Sequence, residues 1–99
     1  MELQEMQKKV YENKVNYGFN VTDVPQEFCY LYGEVAEAYD AYLKKKDDLD
    51  LELADVAIYL LGLSEILGID LKESIERKME INSRRTYVKD GKSFKKIEG

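Results

Sequence analysis

Apolar side chains recur every three or four residues through most of the chain, which is the spacing of one face of an α-helix. This periodicity predicts four helices, over about residues 2–16, 24–43, 48–67 and 71–85. Asp23 and Asp70 stand where helix N-caps belong, and Gly68 stands where the third helix should end. Because the linkers between the helices are short, the sequence predicts an all-α, four-helix bundle-like protomer.

The second and third helices are apolar over more than one stripe, which is typical of helices buried on two sides. We therefore expect the protomer to complete its core by forming a homo-oligomer, either a dimer or a tetramer. The helices define a domain over residues 1–87, followed by a basic C-terminal tail over residues 88–99. Asp90–Gly91 either turns a short hairpin in this tail or lies in a loose segment.

Composition narrows the functional classes. The 99 residues carry a net charge of −5, which argues against nucleic-acid binding through a broad basic surface. The sequence contains no histidine, so catalytic triads and zinc sites built on histidine are excluded. The single cysteine, Cys29, excludes an intrachain disulfide, and we expect its side chain to lie in the core. The sequence has neither an apolar leader nor a membrane-spanning run, so we expect a cytoplasmic protein.

Acidic residues interrupt the two most apolar helices in pairs. Glu34 and Glu37 are three residues apart and share one helix face, and Glu52 and Asp55 do the same on the next helix. An antiparallel hairpin of these helices can bring the two pairs opposite each other, where four carboxylates would repel and lose solvation. An oxygen-only set of this kind suits a hard divalent cation such as Mg²⁺, with Mn²⁺ as an alternative. The competing interpretation is a set of solvated surface acids.

The spacing Glu-x-x-Glu followed by Glu-x-x-Asp resembles that of the MazG family of all-α nucleoside triphosphate pyrophosphohydrolases. The segment "ELADVAIYLLGLSEILGIDLKESIERKMEINSRR" also resembles the family's third and fourth helices, including its Lys-x-x-x-Asn-x-x-Arg run at Lys78, Asn82 and Arg85. The resemblance covers about residues 25–87. It implies hydrolysis of a (d)NTP to the (d)NMP and pyrophosphate by water activated at a divalent metal, with a role in cleaning the nucleotide pool as one outcome.

The same resemblance implies roles for individual residues. The metal ligands would be Glu34, Glu37, Glu52 and Asp55, with Glu34 or Glu37 orienting the attacking water. Contacts with the substrate would come from Tyr59, Lys78, Asn82 and Arg85. Two alternatives stay open: a phosphoribosyl-ATP pyrophosphohydrolase, which usually has a histidine after the second acidic motif, and a non-catalytic helical interaction module with a vestigial site.

Overall fold

The computed structural model describes the backbone of residues 1–90 and 93–98 and the side chains of residues 1–85. Four helices follow one another: α1 (Leu3–Asn16), α2 (Val24–Leu43), α3 (Leu49–Ile66) and α4 (Leu71–Ser83). They confirm the all-α class, and α4 ends two residues before the predicted boundary. Two short strands, β1 (Thr86–Asp90) and β2 (Ser93–Glu98), then pair antiparallel. The strands agree with the hairpin alternative for the tail, although Gly91 lies outside the described residues.

Local sequence chemistry sets the helix ends. The Asp23 carboxylate accepts a hydrogen bond from the Gln26 backbone N–H, and Asp70 accepts one from the Glu73 backbone N–H. These bonds satisfy N–H groups that have no partner inside the helix. Gly68 ends α3 with a positive φ of 69°, and the Ile69 N–H reaches back to the Ser64 carbonyl at 2.9 Å. This is a Schellman motif, in which glycine adopts the left-handed conformation without strain.

The segment that joins α2 to α3 uses the same motif without a glycine. Lys45 has a positive φ of 54°, and the N–H of Lys46 donates to the Ala41 carbonyl at 2.9 Å. A left-handed backbone costs a non-glycine residue about 1–2 kcal/mol. The strained residue lies in the tight turn after which α3 runs back along α2. The same turn places Lys46 on a cavity that Glu37 and Glu52 also line.

The helices form a layered arrangement rather than a closed bundle. α3 packs against α2 on one side and against α1 on the other, while α4 packs principally against α1. Ala38 and Ala41 of α2 and Leu61 and Leu63 of α3 form the buried apolar core. On α1 the buried residues are polar: Gln7 hydrogen-bonds to Glu65 and to the backbone of Ile69 and Leu71, which holds α4 beside α1.

Large apolar side chains remain exposed on the outer faces of the helices. The predicted apolar face of α2 is mostly exposed in the protomer, because its inward face carries small and acidic residues. Cys29 is also exposed, so its expected place in the core is wrong for the protomer. On the last three helices, the most exposed large apolar residues are Tyr32, Tyr39, Tyr42 and Leu43 on α2, Leu51 and Leu53 on α3, and Met79 on α4. Tyr17 and Phe19, which follow α1, are also largely exposed. Such a surface is typical of protein contacts, and oligomerisation stays a prediction.

Within the described residues, no helix combines the length and apolar content that crossing a bilayer requires.

The α4 cap gives stability a measurable pH dependence. Hydrogen bonds from the Glu73 backbone and from Gln4 lower the pKa of Asp70 below its usual 3.8. A depressed pKa means that this carboxylate stabilises the fold above about pH 4, and that the contribution is lost as the pH falls through the folded-state pKa. Asp70→Ala should therefore lower the Tm by a few degrees at pH 7 and by less at pH 3.

Thermal unfolding followed by circular dichroism at both pH values tests this expectation, with Asp70→Asn as the control. The Asn variant keeps a side-chain oxygen that can accept from the Glu73 N–H, so it should lose less stability than the Ala variant at pH 7. An equal loss for Asp70→Ala at both pH values would contradict the capping role.

Candidate metal and nucleotide site

Three carboxylates converge between α2 and α3. One carboxylate oxygen from each of Glu34, Glu37 and Glu52 lies within 4.8 Å of the other two. Glu34 and Glu37 are brought together by one turn of α2, and Glu52 comes from the first turns of α3 after the tight connection. The structure thus brings together three of the four acids that were expected to bind metal.

Asp55 lies beside this trio. Its side chain is exposed, and its charge acts on Glu34. Asp55 belongs to the same helix face as Glu52, three residues further along α3. It is therefore placed at the edge of the acidic group, open to solvent.

The acidic group is electrostatically unfavourable as it stands. Burial, followed by the charges of Glu37, Asp55 and Glu52, raises the pKa of Glu34 above its usual 4.5. Among the described side chains, the Oε2 atoms of Glu34 and Glu52 are buried and have no hydrogen-bond partner. Buried polar atoms without partners are uncommon and costly. A donor set made only of carboxylate oxygens, two of them buried and unpaired, fits a hard divalent cation.

A cavity of about 420 Å³ opens beside the acids. Glu37, Asp40, Lys46 and Glu52 line it together with Ala36. Lys46 is the one cation in this lining, and it comes from the short segment that joins α2 to α3. The Asp40 carboxylate forms an exposed ion pair with Lys44, with 3.0 Å between Oδ2 and Nζ. An exposed pair of this kind contributes little to stability.

Tyr59 lies one turn after Asp55 on α3 and borders a second, more apolar cleft. Burial and the neighbouring charges of Glu34 and Glu27 raise its pKa above 10.0. The ring meets that of Tyr30 edge-on, with centroids 6.2 Å apart. Tyr59 therefore lies close to the acidic group and also borders the cleft, and its contact with substrate stays a prediction.

The predicted cationic residues of α4 lie apart from the acids. Lys78 and Asn82 are exposed, and Arg85, just beyond the end of α4, is half-buried. Within residues 1–85, no hydrogen bond or ion pair joins them to the acids of α2 and α3, and α4 packs principally against α1. Within the described part of one protomer, the predicted substrate-binding residues at positions 78, 82 and 85 are thus not bonded to the acidic group.

A buried ion pair beside Tyr59 was missed by the sequence analysis. Lys14 of α1 donates to Glu27 of α2 at 2.5 Å, and Glu27 also accepts from Asn20 at 3.1 Å. Glu27 is 1% exposed and Lys14 is 8% exposed. Gly62 of α3 makes room for the lysine: a Cβ atom at position 62 would lie 2.9 Å from Lys14 Cε.

A signal for this pair was present in the sequence. Lys14 lies on the stripe Leu3, Gln7, Val10, and Glu27 lies on the stripe Leu31, Glu34, Ala38, both at helical spacing. The charged types at these positions favoured an exposed assignment, because lysine and glutamate are almost never fully buried unless paired. Only their pairing across helices, which periodicity does not report, explains their burial.

Comparison with known proteins identifies the fold and the family. The sequence model of the MazG-like family matches residues 28–98. The fold resembles a solved structure described as a cyanophage S-2L MazG-like pyrophosphohydrolase bound to dGDP and three catalytic Mn²⁺ ions per active site. The match has a TM-score of 0.75 and 26% sequence identity, and it covers 99% of both chains.

Two curated relatives share part of the sequence. A dATP/dGTP diphosphohydrolase of Salmonella phage PMBT28 is 42% identical over 50 residues, which are 48% of this chain and 17% of that protein. A dATP/dGTP diphosphohydrolase of Cyanophage S-2L is 40% identical over 50 residues, which are 50% of this chain and 48% of that protein. The matched segment thus spans about half of one relative and less than a fifth of the other.

Repulsion among the acids predicts opposite effects of one substitution with and without metal. Glu34→Gln removes one charge from the group, so in metal-free buffer with EDTA it should raise the Tm by about 2–4 °C. Like-charge pairs on a helix face cost a few tenths of a kcal/mol each, and about 1 kcal/mol shifts the Tm of a domain this size by about 4–8 °C. Added Mn²⁺ should stabilise the native protein and stabilise the variant less.

Calorimetry on both proteins, with EDTA and with a series of Mn²⁺ concentrations, measures the two effects together. Glu5→Gln on α1, an exposed acid outside the group, serves as the matched control and should respond to Mn²⁺ as the native protein does. Equal stabilisation of Glu34→Gln and native protein by Mn²⁺ would show that Glu34 is not a ligand.

Proposed function

The chain belongs to the MazG-like family, and on that basis we propose that it is a metal-dependent nucleoside triphosphate pyrophosphohydrolase. The observation that carries the proposal is the convergence of Glu34, Glu37 and Glu52 within 4.8 Å, with two buried oxygens that lack partners among the described side chains. Carboxylates at this distance need a cation or a proton. A cation there would also engage the polyanionic triphosphate of a nucleotide.

The proposed reaction joins a water oxygen to the α-phosphorus of the substrate. The bond between that phosphorus and the bridging α–β oxygen breaks, and the products are the nucleoside monophosphate and pyrophosphate. When bound, Mg²⁺ or Mn²⁺ supplies positive charge that offsets the developing negative charge on the phosphates and makes water at the site easier to deprotonate. The residues proposed to hold the metal are Glu34, Glu37, Glu52 and Asp55.

Glu37 is the proposed acceptor of the proton from the attacking water. Its side chain is more exposed than that of Glu34, and it lines the open 420 Å³ cavity where water and phosphate can enter. Glu34 is more enclosed and is better suited to holding a cation. Lys46, on the same cavity, is placed to attract the triphosphate and to offset charge on the departing pyrophosphate.

The proposed substrates are purine deoxynucleoside triphosphates. Support comes from the two phage relatives, which are described as dATP/dGTP diphosphohydrolases, and from the dGDP bound in the cyanophage structure. The aromatic cleft next to Tyr59 is of a size and polarity that suit a nucleobase. Cleaning of the nucleotide pool in the cytoplasm is one physiological role consistent with this chemistry.

A second copy of the chain is proposed to complete the site. The radius of gyration is 16.7 Å, whereas a compact chain of about 100 residues has one near 13 Å. The exposed apolar faces of α2 and α3 offer a surface for that copy. Since α4 packs principally against α1 of its own protomer, Lys78, Asn82 and Arg85 would reach the phosphates bound at a partner's acids.

Substitution of single acids tests the activity itself. Glu37→Gln and Asp55→Asn keep the size of the side chain and remove its charge, so each should reduce Mg²⁺- or Mn²⁺-dependent pyrophosphate release from dGTP and dATP by about 100-fold or more. Helicity and oligomeric state should stay unchanged. The exposed Glu12→Gln on α1 is the control and should retain full activity.

A folded native protein that binds Mn²⁺ but releases pyrophosphate from none of the common (d)NTPs would overturn the proposed substrate class. A folded protein that neither binds Mn²⁺ nor releases pyrophosphate would instead favour a helical interaction module.

Complementation between variants tests whether the site is shared. One variant is Glu37→Gln, and the other carries Lys78→Ala and Arg85→Ala. Each alone should be nearly inactive, but subunit exchange at equal concentrations should restore about a quarter of native activity, because about half of the dimers are mixed and each has one intact site. Steady-state kinetics after co-refolding, with mixing verified by mass spectrometry, gives the answer. Verified mixed oligomers without recovered activity would place all site residues within one subunit.

A further inference from the structure

Lys14 is a buried cation that faces empty space as well as its ion-pair partner. A cavity of about 320 Å³ is lined by apolar and aromatic groups around it: Val10, Asn13, Lys14, Tyr17, Phe19, Ile58 and Tyr59. A second cavity of about 250 Å³ shares Lys14, Phe19 and Tyr59 with the first and adds Asn20, Glu27 and Tyr30. Lys14, Phe19 and Tyr59 therefore border both cavities, which together are called the cleft.

The ammonium group of Lys14 has hydrogen-bonding capacity to spare. It carries three N–H donors, and among the described side chains it donates to one acceptor, Glu27 Oε1. Its other neighbour is the face of the Tyr59 ring, whose centroid is 5.3 Å from Nζ. The N–H groups that do not bond to Glu27 can donate to an acceptor on a molecule bound in the cleft.

The surroundings of the cleft indicate a planar ring. Tyr17 and Phe19 stack on each other with centroids 5.7 Å apart, and both line the cleft together with Tyr59. Aromatic side chains bind nucleobases by stacking without distinguishing one base from another. Discrimination must then come from the polar groups in the cleft, of which Lys14 is the charged donor.

The position of the cleft suits the base of a nucleotide whose phosphates lie at the acids. Tyr59 lines the cleft and follows Asp55 by one helical turn, and the charges of Glu34 and Asp55 act on its hydroxyl. The phosphate end of a bound nucleotide would therefore lie at α2 and α3, and its base would lie toward α1.

We propose that Lys14 is a specificity-determining residue that selects purine nucleotides with a carbonyl oxygen at position 6 of the base, the guanine type. This inference rests on the proposed function and adds the base class to it. Guanine presents two acceptors side by side, O6 and N7, and lysine pairs well with both. Adenine presents an amino donor in place of O6, which an ammonium group does not accept.

Glu27 and Asn20 are positioning residues in this arrangement. Glu27 fixes one N–H of Lys14 and compensates its charge, and Asn20 holds the second oxygen of Glu27 at 3.1 Å. With one donor fixed, the remaining two point in defined directions, which is what recognition of a base edge requires. The ion pair thus fixes the orientation of the Lys14 ammonium group within the cleft.

The test replaces the ion pair without leaving a buried charge. Lys14→Met alone would leave Glu27 unpaired, and breaking a buried pair by removing one partner is strongly destabilising. The double variant Lys14→Met/Glu27→Gln is neutral and similar in volume, and its glutamine oxygen can still accept from Asn20. The control is Lys9→Met/Glu5→Gln, an equivalent charge change at exposed positions of α1.

The measurements are kcat and KM for dGTP, dITP, dATP and dTTP, with circular dichroism as the check on folding. The double variant should lose about 10- to 100-fold in kcat/KM for dGTP, mainly through KM, and should change little for dATP. dITP keeps O6 but lacks the 2-amino group, so it should behave as dGTP does. The control variant should match the native protein on all four.

A parallel measurement separates failure of this inference from failure of the proposed activity. Calorimetric titration with dGMP and dAMP in metal-free buffer tests base recognition without turnover, and native protein should bind dGMP more tightly while the double variant should not. This preference would survive even if no triphosphate were hydrolysed. Equal losses for dGTP and dATP in a folded double variant would overturn the inference, as would a larger loss for dTTP than for dGTP.

Discussion

The close pairing of α2 with α3 is the constraint on which the rest of this structure depends. Ala38 and Ala41 are almost fully buried at the contact, and such small side chains let two helix backbones approach closely. Because the connection over residues 44–48 is short, the acids in the middle of α2 are carried against those at the start of α3. The apolar contact thus brings like charges together, at an electrostatic cost that a bound cation would offset.

Much of the helical framework follows from local sequence. The N-caps at Asp23 and Asp70 and the glycine at position 68 are chemical signals that act within one turn, so they specify helix ends without knowledge of the tertiary fold. The spacing of Glu34 and Glu37 on α2, and of Glu52 and Asp55 on α3, likewise fixes which acids share a helix face. Once the two helices are taken as a hairpin, their convergence is a geometric consequence, and the structure agrees for Glu34, Glu37 and Glu52.

The remainder of the site depends on contacts that periodicity does not encode. Lys14 and Glu27 are buried because they meet across helices and because Gly62 leaves space for the lysine. Similarly, the apolar face of α2 predicted burial of residues such as Tyr39, which is 62% exposed in the protomer. A hydrophobic stripe indicates that a helix face is buried against another surface, but it does not show whether that surface belongs to the same chain. Periodicity likewise does not show whether Lys78 lies near the acids of its own protomer or near those of another copy.

Because Gly62 has no side chain, the residues at positions 62, 14 and 27 depend on one another. A methyl group there would meet the stem of Lys14 at 2.9 Å, so a larger residue at position 62 would displace the lysine from Glu27 and leave a buried carboxylate alone. Conversely, a shorter neutral residue at position 14 would leave room for a larger side chain at position 62 and would leave the acid at position 27 without its cationic partner. In sequences descended from this one, positions 14, 27 and 62 should therefore be substituted together or not at all. The residues found at these three positions would indicate whether the cleft contains a buried ion pair.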